Sequence, residues 1–329
     1  MQAVVVNEIN KLNSIEMREI DPPEPESNQV LIQSVAAAVN FPDLLQVLGK
    51  YQIVPPTPFV PGKEAAGLVI AVGTDVEHIQ PGNRVLVEVD FGAFAEQVTA
   101  DAQRTYLLPD EIEMPTAAAM GLVYQTAYIA LTERASLRAG ETVLITGASG
   151  GIGLATVQLA KAFGATVLAA TSDPTKFDAV RYAGADHAID LSMTPLNDKL
   201  REQVYAATGG KGVDVVLDVV GGDVFDASLR TLVFGGRIVV LGFTSAKIPN
   251  IKSNYLLLKN LSAVGMTING YFAKRPEIVN AAQVAIFDLW RQGKVRPHIH
   301  AELSLHEFAK AFEMLENREV IGKVVLSLG

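Results

Sequence analysis

The stretch Glu141–Ser172, ETVLITGASGGIGLATVQLAKAFGATVLAATS, constrains the fold more than any other part of the chain. It begins with an apolar, β-branched run and continues into a glycine-rich turn, Gly147–Gly153. An apolar pattern with helical spacing follows and ends at Gly164, and a second apolar run, Val167–Ala170, comes directly after it. A strand, a glycine turn, a helix and a second strand within about thirty residues predict a βαβ unit.

The glycine-rich turn predicts a phosphate-binding site. It reads as A-x-G-x-x-G through Ala148, Gly150 and Gly153, and it departs from G-x-G-x-x-G at the first position. Free N–H groups at a helix N-terminus favour an anion, and small residues let a pyrophosphate approach the main chain. We therefore predict that the unit binds a dinucleotide. The predicted contacts are Ala148, Ser149, Gly150, Gly151, Ile152 and Gly153.

Composition argues against several other classes of protein. Of the 329 residues, 49% are hydrophobic and 19% are charged, which indicates a globular chain with a substantial core. The formal net charge of -9 argues against nucleic acid or an anionic membrane as a partner. The chain has no cysteine, which excludes disulfides and thiolate metal sites and fits a cytoplasmic protein. Its N-terminus, MQAVVVNEIN, lacks the pattern of a signal peptide.

The chain before the βαβ unit has a different character. Up to about residue 115, short apolar runs are separated by prolines and glycines, which indicates an irregular β-rich domain. A long helix is predicted from Met114 to Glu133, after these runs. The runs are Ala3–Val6, Val30–Val35, Gly67–Val72, Arg84–Val87 and Gln97–Ala100.

From Glu141 onward, strands alternate with short helices that end at glycines, and this alternation implies a parallel sheet. We expect the last strand, Lys323–Leu328, to pair with the first domain. The other predicted strands after the βαβ unit are Ala188–Leu191, Val213–Val219, Arg237–Leu241 and Leu261–Ile268, and the predicted C-terminal helices are Pro276–Gln292 and His306–Glu316.

Six motifs are spread over almost the whole chain. They are VNFPDLLQVLGKY (Val39–Tyr51), PGKEAAG (Pro61–Gly67), PGNRV (Pro81–Val85), GASGGIG (Gly147–Gly153), DVVGG (Asp218–Gly222) and GKVVL (Gly322–Leu326). Each motif is common by itself, but their order and spacing are specific. Because of this order and spacing, the chain resembles the medium-chain dehydrogenase/reductase superfamily, and most of all its zinc-independent quinone oxidoreductase branch.

The resemblance implies an α/β fold with two kinds of domain. A GroES-like, β-rich catalytic domain is expected over residues 1–117, and a Rossmann domain with a doubly wound parallel sheet over 118–268. The remainder, 269–329, is expected to return to the catalytic domain. The resemblance further implies NAD(P)H-dependent reduction of a small molecule and a homodimer.

The resemblance also shows where the zinc-dependent members of the superfamily bind their metal. Those enzymes have a cysteine where this chain has Asn40, a histidine where it has Lys63, and a second cysteine near Leu122. His298 and His300 are close in sequence, but no third ligand accompanies them. We therefore expect no metal and a zinc-independent reaction.

A reaction without a metal favours a conjugated acceptor. Alcohol oxidation would leave a developing alkoxide without its Lewis acid, whereas a quinone delocalises the incoming charge itself. The prediction is therefore a quinone reductase, with an enone or an enoyl-thioester as the alternative acceptor and a non-catalytic NADPH-binding protein as a third possibility.

The turn also spells T-G-x-x-x-G-x-G, and Tyr255 and Lys259 form the Y-x-x-x-K of short-chain dehydrogenases. Short-chain dehydrogenases begin with their glycine turn, whereas here about 140 residues precede it, and the segment Tyr255–Lys259 is predicted to be a buried helical turn. Both observations argue against that family.

The end of the second strand of the βαβ unit bears on the choice of coenzyme. NAD enzymes usually have an acidic residue there, which binds the ribose 2′-hydroxyl. This chain has Thr171 and Ser172, and Lys176 follows one turn later. Hydroxyls and a lysine suit a 2′-phosphate, although Asp173 opposes this interpretation and Lys176 also fits an ordinary surface lysine. The sequence favours NADPH.

Tyr51 is the predicted proton donor, because it matches a tyrosine that the similar enoyl-thioester reductases place near the substrate. Asn40 is predicted to hydrogen-bond the substrate or the nicotinamide ribose. Thr126 falls where the family positions a hydroxyl near the nicotinamide. Each residue also has an alternative, structural role: packing for Tyr51, loop capping for Asn40 and a hydrogen bond to its own helix backbone for Thr126. Further coenzyme contacts are expected at the ends of later strands, from Val220, Gly242 and Phe243.

Overall fold

A computed structural model describes residues 1–328, which form fifteen β-strands and eleven α-helices. The strands are β1 (Gln2–Val6), β2 (Ile15–Glu19), β3 (Gln29–Val39), β4 (Glu64–Val72), β5 (Arg84–Glu88), β6 (Gln97–Asp101), β7 (Thr105–Leu107), β8 (Thr142–Thr146), β9 (Thr166–Thr171), β10 (His187–Asp190), β11 (Val213–Asp218), β12 (Leu232–Val240), β13 (Ser262–Gly265), β14 (Ile299–Ser304) and β15 (Lys323–Ser327). The helices are α1 (Phe41–Val47), α2 (Met114–Ala118), α3 (Leu122–Ile129), α4 (Gly151–Ala162), α5 (Phe177–Tyr182), α6 (Leu196–Ala207), α7 (Gly222–Leu229), α8 (Ser253–Lys259), α9 (Ile268–Lys274), α10 (Pro276–Arg291) and α11 (Phe308–Glu316).

The chain divides into two compact units, each built from separate segments. Unit 1 consists of Met1–Leu122, Arg275–Gln283 and the described residues from Pro297 onward. Unit 2 consists of Val123–Lys274 and Val284–Arg296. The C-terminal part of the chain therefore contributes to both units.

Unit 1 is built on a seven-stranded sheet. Its strand order is β14-β15-β3-β4-β5-β7, and β6 pairs with β3 as well. Most pairs are antiparallel, and the C-terminal β15 joins β3 with Val324 opposite Val39. Alternating apolar side chains from these strands and from α11 form one core, in which Phe94 and Phe312 are fully buried with their ring centroids 6.1 Å apart. The last strand is thus part of the sheet that carries the N-terminal motifs.

Unit 2 is a doubly wound parallel sheet with the strand order β10-β9-β8-β11-β12-β13. Its central strands are almost continuously apolar and buried, as strands covered by helices on both faces must be. Strand β8 has β9 on one side and β11 on the other, so the order of the strands reverses at β8. In such sheets ligands bind at the carboxyl ends of the strands beside this reversal. The glycine-rich turn follows β8 directly.

The long helix predicted from Met114 to Glu133 is interrupted. Helix α2 ends at Ala118, α3 begins at Leu122, and the segment Ala130–Arg134 forms a π-helical turn. The backbone N–H of Leu122 donates to the Glu64 carboxylate at 2.8 Å. At Gly121 a Cβ would lie 2.5 Å from Oε2 of Glu64, so only glycine lets the chain pass. The break therefore depends on a distant carboxylate that helical periodicity does not reveal.

Two other sequence predictions differ from the structure. The sixth strand was predicted over Leu261–Ile268, but β13 ends at Gly265, where its partner β12 ends as well, and α9 begins at Ile268. The segment Tyr255–Lys259 is helical as predicted, but it is not buried, because Leu257 and Leu258 point to solvent. Lys259 donates to the carbonyl oxygen of Leu232 at 2.9 Å, which connects α8 to β12.

None of the helices in residues 1–328 is long and apolar enough to cross a membrane.

Candidate functional site

The glycine-rich turn has the geometry of a pyrophosphate cradle. Gly147 has φ +62°, and a Cβ at Gly153 would lie 2.3 Å from the carbonyl oxygen of Gly147 and 2.6 Å from Cα of Ala148. Glycine at position 153 therefore lets the first turn of α4 lie directly against the strand that precedes it. Gly150 is the N-cap of α4 and has no side chain to occupy the first N–H groups of the helix. These residues fit a dinucleotide phosphate.

Asp218, which the sequence analysis did not single out, holds the neighbouring strand end in place. It is fully buried at the end of β11, and its carboxylate accepts hydrogen bonds from Thr146 Oγ1 at 2.5 Å, from the Val220 N–H at 3.1 Å and from the Gly221 N–H at 3.0 Å. Burial raises the pKa of Asp218, while these three hydrogen bonds oppose the rise. The carboxylate thus joins the last residue of β8 to the turn that contains Val220.

The end of β9 presents hydroxyl groups, and the nearby carboxylate is engaged elsewhere. Thr171 is buried, with its Oγ1 3.4 Å from the Ser149 hydroxyl, and Ser172 is exposed. The Asp173 carboxylate accepts from the Thr175 backbone N–H at 3.0 Å and from the Thr175 hydroxyl at 2.6 Å. These hydrogen bonds lower the pKa of Asp173. Asp173 thus caps the turn that follows it, and its carboxylate remains ionised close to the end of β9.

The other predicted coenzyme contacts are spread over unit 2. Val220 follows β11, and Gly242 and Phe243 follow β12, so they share the carboxyl edge of the sheet with the glycine-rich turn. Lys176 is buried at the start of α5, and Thr126 is buried on α3. Tyr51 and Asn40 belong to unit 1.

Asn40 lies in a buried ion-pair network that local sequence does not predict. Lys323 Nζ is 3.0 Å from Oε1 of Glu64 and 2.6 Å from Oδ1 of Asn40, and it also donates to the Val39 carbonyl at 3.1 Å. The Asn40 amide donates to Oε1 of Glu64 at 2.8 Å and to the Ala38 carbonyl at 3.2 Å. Both amide hydrogens are therefore used within the network, which favours a positioning role for Asn40.

The register of the sheet explains how these residues meet. Val324 of β15 pairs with Val39 of β3, so Lys323 is carried to the position beside Asn40. On the other side of β3, Ala37 pairs with Ala65, which places Glu64 beside Ala38. Residues 259 positions apart in the chain thus become neighbours across three strands.

A second polar cluster surrounds Lys63 in the same unit. The Lys63 ammonium donates to the Asp90 carbonyl at 2.8 Å and lies 4.8 Å from the centroid of the Tyr51 ring. Asp43 is fully buried, and its carboxylate accepts from the Asn40 backbone N–H at 2.8 Å. Burial raises the pKa of Asp43 to about 7, against the opposing influence of the positive charge on Lys63. Tyr51, the predicted proton donor, thus has a buried cation against its ring.

The donors at the former ligand positions do not fit a zinc ion. Where zinc-dependent members of the superfamily have cysteine and histidine, this chain has the Asn40 amide, whose oxygen is bound to an ammonium, and the Lys63 ammonium. Near the third position, the Leu122 N–H donates to Glu64. Ammonium groups repel a dication and have no lone pair to offer it. In the described part of the chain, residues 1–328, no cluster of three or more histidine, cysteine or acidic side chains is arranged to hold a metal ion.

Comparisons with known proteins agree with this architecture. A zinc-binding dehydrogenase family matches residues 151–284, and the alcohol dehydrogenase GroES-like domain family matches residues 26–110. Quinone oxidoreductase-like protein 2 of Mus musculus is 37% identical over 313 residues, which cover 95% of this chain and 88% of the mouse protein.

Solved structures are similar over the full length. Quinone oxidoreductase of Escherichia coli, crystallised in complex with NADPH, has a TM-score of 0.91 at 29% identity, with 100% of both chains covered. The enoyl reductase CurK has a TM-score of 0.88 at 26% identity, with 100% of this chain and 99% of the other covered.

The buried ion pair makes a prediction about stability. Lys323→Met leaves the Glu64 carboxylate buried without its counter-charge, so we expect the free energy of unfolding to fall by about 3–5 kcal/mol. The double variant Lys323→Met/Glu64→Gln removes that uncompensated charge and should recover a large part of the loss. Denaturant unfolding of the purified proteins measures both effects.

Lys310→Met is the matched control, because Lys310 forms an exposed ion pair with Glu307 on the surface of the same unit. We expect it to change the free energy of unfolding by less than about 1 kcal/mol. Equal losses in the Lys323 single variant and in the double variant would contradict the assigned role of the ion pair.

Proposed function

The chain belongs to the medium-chain dehydrogenase/reductase superfamily, and we propose that it is an NADPH-dependent, zinc-independent reductase that transfers hydride to a quinone. The similarity to quinone oxidoreductases supports the class of reaction. The observation that carries the proposal is the position of the Lys323 ammonium, 2.6 Å from Asn40 Oδ1, at a place where zinc-dependent members of the superfamily bind their metal.

A site with ammonium groups in place of a metal ion suits a conjugated acceptor. Reduction of a simple carbonyl concentrates negative charge on one oxygen, which usually requires a Lewis acid. A quinone spreads the incoming charge over its ring and its second oxygen. It therefore needs orientation, one proton and modest electrostatic support from the protein.

The residues of this chain have separate tasks in the proposed reaction. Bound NADPH supplies the hydride. The turn Gly147–Gly153 binds the pyrophosphate, and Thr171, Ser172 and Lys176 bind the 2′-phosphate. Tyr51 delivers the proton to the reduced acceptor. Asn40, with its amide held by Glu64 and Lys323, positions the segment that leads into α1. The remaining proposed coenzyme contacts are Thr126, Val220, Gly242 and Phe243.

The second candidate function is reduction of an enone or an enoyl-thioester. The similarity to an enoyl reductase structure favours it, and the same proton donor would serve. The net charge of -9 opposes a thioester that carries the anionic nucleotide of coenzyme A. A protein that binds NADPH without catalysing any reduction is a third and weaker candidate. We also propose a cytoplasmic location, which the absence of cysteine fits.

We further propose that the protein is a homodimer formed through unit 2. Strand β13 lies at one edge of the parallel sheet. Large apolar side chains lie exposed on the same unit, among them Ile248 at 76%, Leu257 at 77% and Leu258 at 74% exposed. An open strand edge and exposed leucines are features that soluble proteins usually cover. A second copy of the chain is the occupant we propose.

Steady-state kinetics with several acceptors tests the proposed activity. We expect NADPH to give at least about a tenfold higher kcat/KM than NADH, because a charge-assisted hydrogen bond to the 2′-phosphate contributes roughly 1.5–3 kcal/mol. A naphthoquinone should be reduced faster than a simple enone or an enoyl-thioester. Stoichiometric NADPH binding without turnover on any of the three would instead favour the non-catalytic candidate.

A glycine pair provides the matched variants for this test. Gly153→Ala places a Cβ against backbone atoms at 2.3 Å and should abolish NADPH binding. Gly270→Ala, where the nearest atom to a Cβ would be a Thr267 methyl carbon at 3.4 Å, should leave binding unchanged. Preserved NADPH affinity in Gly153→Ala would exclude the turn as the coenzyme site.

The proposed dimer is tested by light scattering after size-exclusion chromatography. The wild-type chain should elute at twice its 35.1 kDa mass, and Leu257→Glu/Leu258→Glu should elute as a monomer with unchanged secondary structure. An exposed pair on unit 1, Glu8→Ala/Lys11→Ala, is the control and should leave the mass unchanged. A wild-type monomer at micromolar concentration would exclude the proposed interface.

A further inference from the structure

Lys63 is a buried lysine held against the ring of the proposed proton donor. Only 4% of its surface is exposed, and its ammonium lies 4.8 Å from the centroid of the Tyr51 ring. The same ammonium donates to the Asp90 carbonyl at 2.8 Å. Burying an ammonium is costly unless charges and hydrogen-bond acceptors compensate. The Lys63 ammonium beside Tyr51 therefore depends on the groups around it for compensation.

The groups that face Lys63 act on its charge in opposite directions. Burial lowers the pKa of Lys63, and Arg104 lowers it further, whereas the carboxylates of Asp43 and Asp90 raise it. Arg104 is itself paired with the Asp90 carboxylate at 3.1 Å, so its repulsion is partly compensated. The side chain of Asp43 also faces Glu64 and Lys323 of the neighbouring network. The carboxyl groups of Asp43 and Asp90 thus oppose the effects of burial and of Arg104 on the Lys63 ammonium.

A buried glutamine fixes the two loops on which this geometry depends. The Gln46 side chain is fully buried on α1, and its Nε2 donates to the Ile53 carbonyl at 3.0 Å and to the Asp90 carbonyl at 3.0 Å. Ile53 lies two residues after Tyr51, and the Asp90 carbonyl also accepts the bond from Lys63. The segment with Tyr51 and the anchor of the Lys63 ammonium are therefore connected through one side chain.

We propose that Lys63 is a positioning residue for proton delivery: its ammonium holds the Tyr51 ring and stabilises the phenolate that Tyr51 becomes when its proton has been given to the reduced acceptor. This inference rests on the proposed reductase function. It assigns to a fixed lysine part of the electrostatic support that a metal ion supplies in zinc-dependent members of the superfamily.

The proposed step is balanced in atoms and charge. The quinone accepts a hydride from NADPH and becomes an anion, with NADP⁺ as the other product. The O–H bond of Tyr51 breaks, its proton forms the O–H bond of the hydroquinone, and the electron pair stays on the phenolate oxygen. A solvent proton then restores the phenol. The sum is one quinone, one NADPH and one proton converted to one hydroquinone and one NADP⁺.

Three substitutions separate the charge of Lys63 from its structural role. Lys63→Gln keeps a donor for the Asp90 carbonyl but removes the charge, Lys63→Met removes both, and Lys63→Arg keeps the charge. We expect Lys63→Gln and Lys63→Met to lower kcat/KM by about tenfold or more near neutral pH and to move the alkaline limb of its pH profile up by about one unit. Lys63→Arg should restore the position of that limb.

A spectroscopic titration tests the same inference without any turnover. The tyrosinate absorbance of wild type minus that of Tyr51→Phe reports the ionisation of Tyr51 alone among the eight tyrosines of the chain. Its midpoint should lie below the ordinary tyrosine value of about 10 and should rise in Lys63→Gln. This result stands or falls independently of whether quinones are the acceptors.

Lys310→Met, an exposed lysine on α11, is the control and should leave both the profile and the titration unchanged. A Tyr51 midpoint at the ordinary tyrosine value in the wild-type protein would overturn the inference, even if no Lys63 variant folds. An unchanged alkaline limb in folded Lys63→Gln would overturn it as well. A purely structural role would lower stability and the active fraction without moving either midpoint.

Discussion

The buried ion pair between Lys323 and Glu64 is the interaction on which the rest of the account depends. The two side chains are almost completely buried and lie 3.0 Å apart, with Asn40 bound to both. A buried carboxylate without its counter-charge would be severely destabilising, so the last strand must pair in its observed register. The same pair binds the Asn40 side chain before α1, and Glu64 accepts the N–H of Leu122, where the chain breaks between α2 and α3. The pairing of the last strand and the geometry around Asn40 therefore depend on the same electrostatic interaction.

The sequence predicted those parts of the molecule whose causes are local. The glycine turn, the strands around it and the helix after it follow from apolar periodicity and from a glycine that only a close backbone approach requires. Lys323 was visible only as the second residue of a common motif, because its partner Glu64 lies 259 positions away. For the same reason the sequence predicted for Asn40 a hydrogen bond to the substrate or to the nicotinamide ribose, and did not reveal that its amide donates to Glu64 and Ala38. A lysine that begins an apolar strand was the one available signal.

One ammonium group, that of Lys63, stands at a position where zinc-dependent members of the superfamily have a metal ligand, and a second, that of Lys323, is bound to Asn40 at another such position. Lys323 neutralises Glu64, and Lys63 lies against Tyr51 with Asp43 and Asp90 as its facing carboxylates. Fixed charges in a water-poor environment act strongly on a developing anion, but they provide no coordination site for an alkoxide. This constraint is the reason for proposing an acceptor that delocalises charge itself.

Metal analysis combined with kinetics tests the central claim most directly. The protein is purified without chelators, its zinc content is measured by mass spectrometry, and NADPH-dependent quinone reduction is assayed before and after dialysis against a strong chelator. We expect far less than one zinc per chain and an unchanged rate after dialysis. One tightly bound zinc per chain whose removal abolishes turnover, and whose return restores it, would contradict the account.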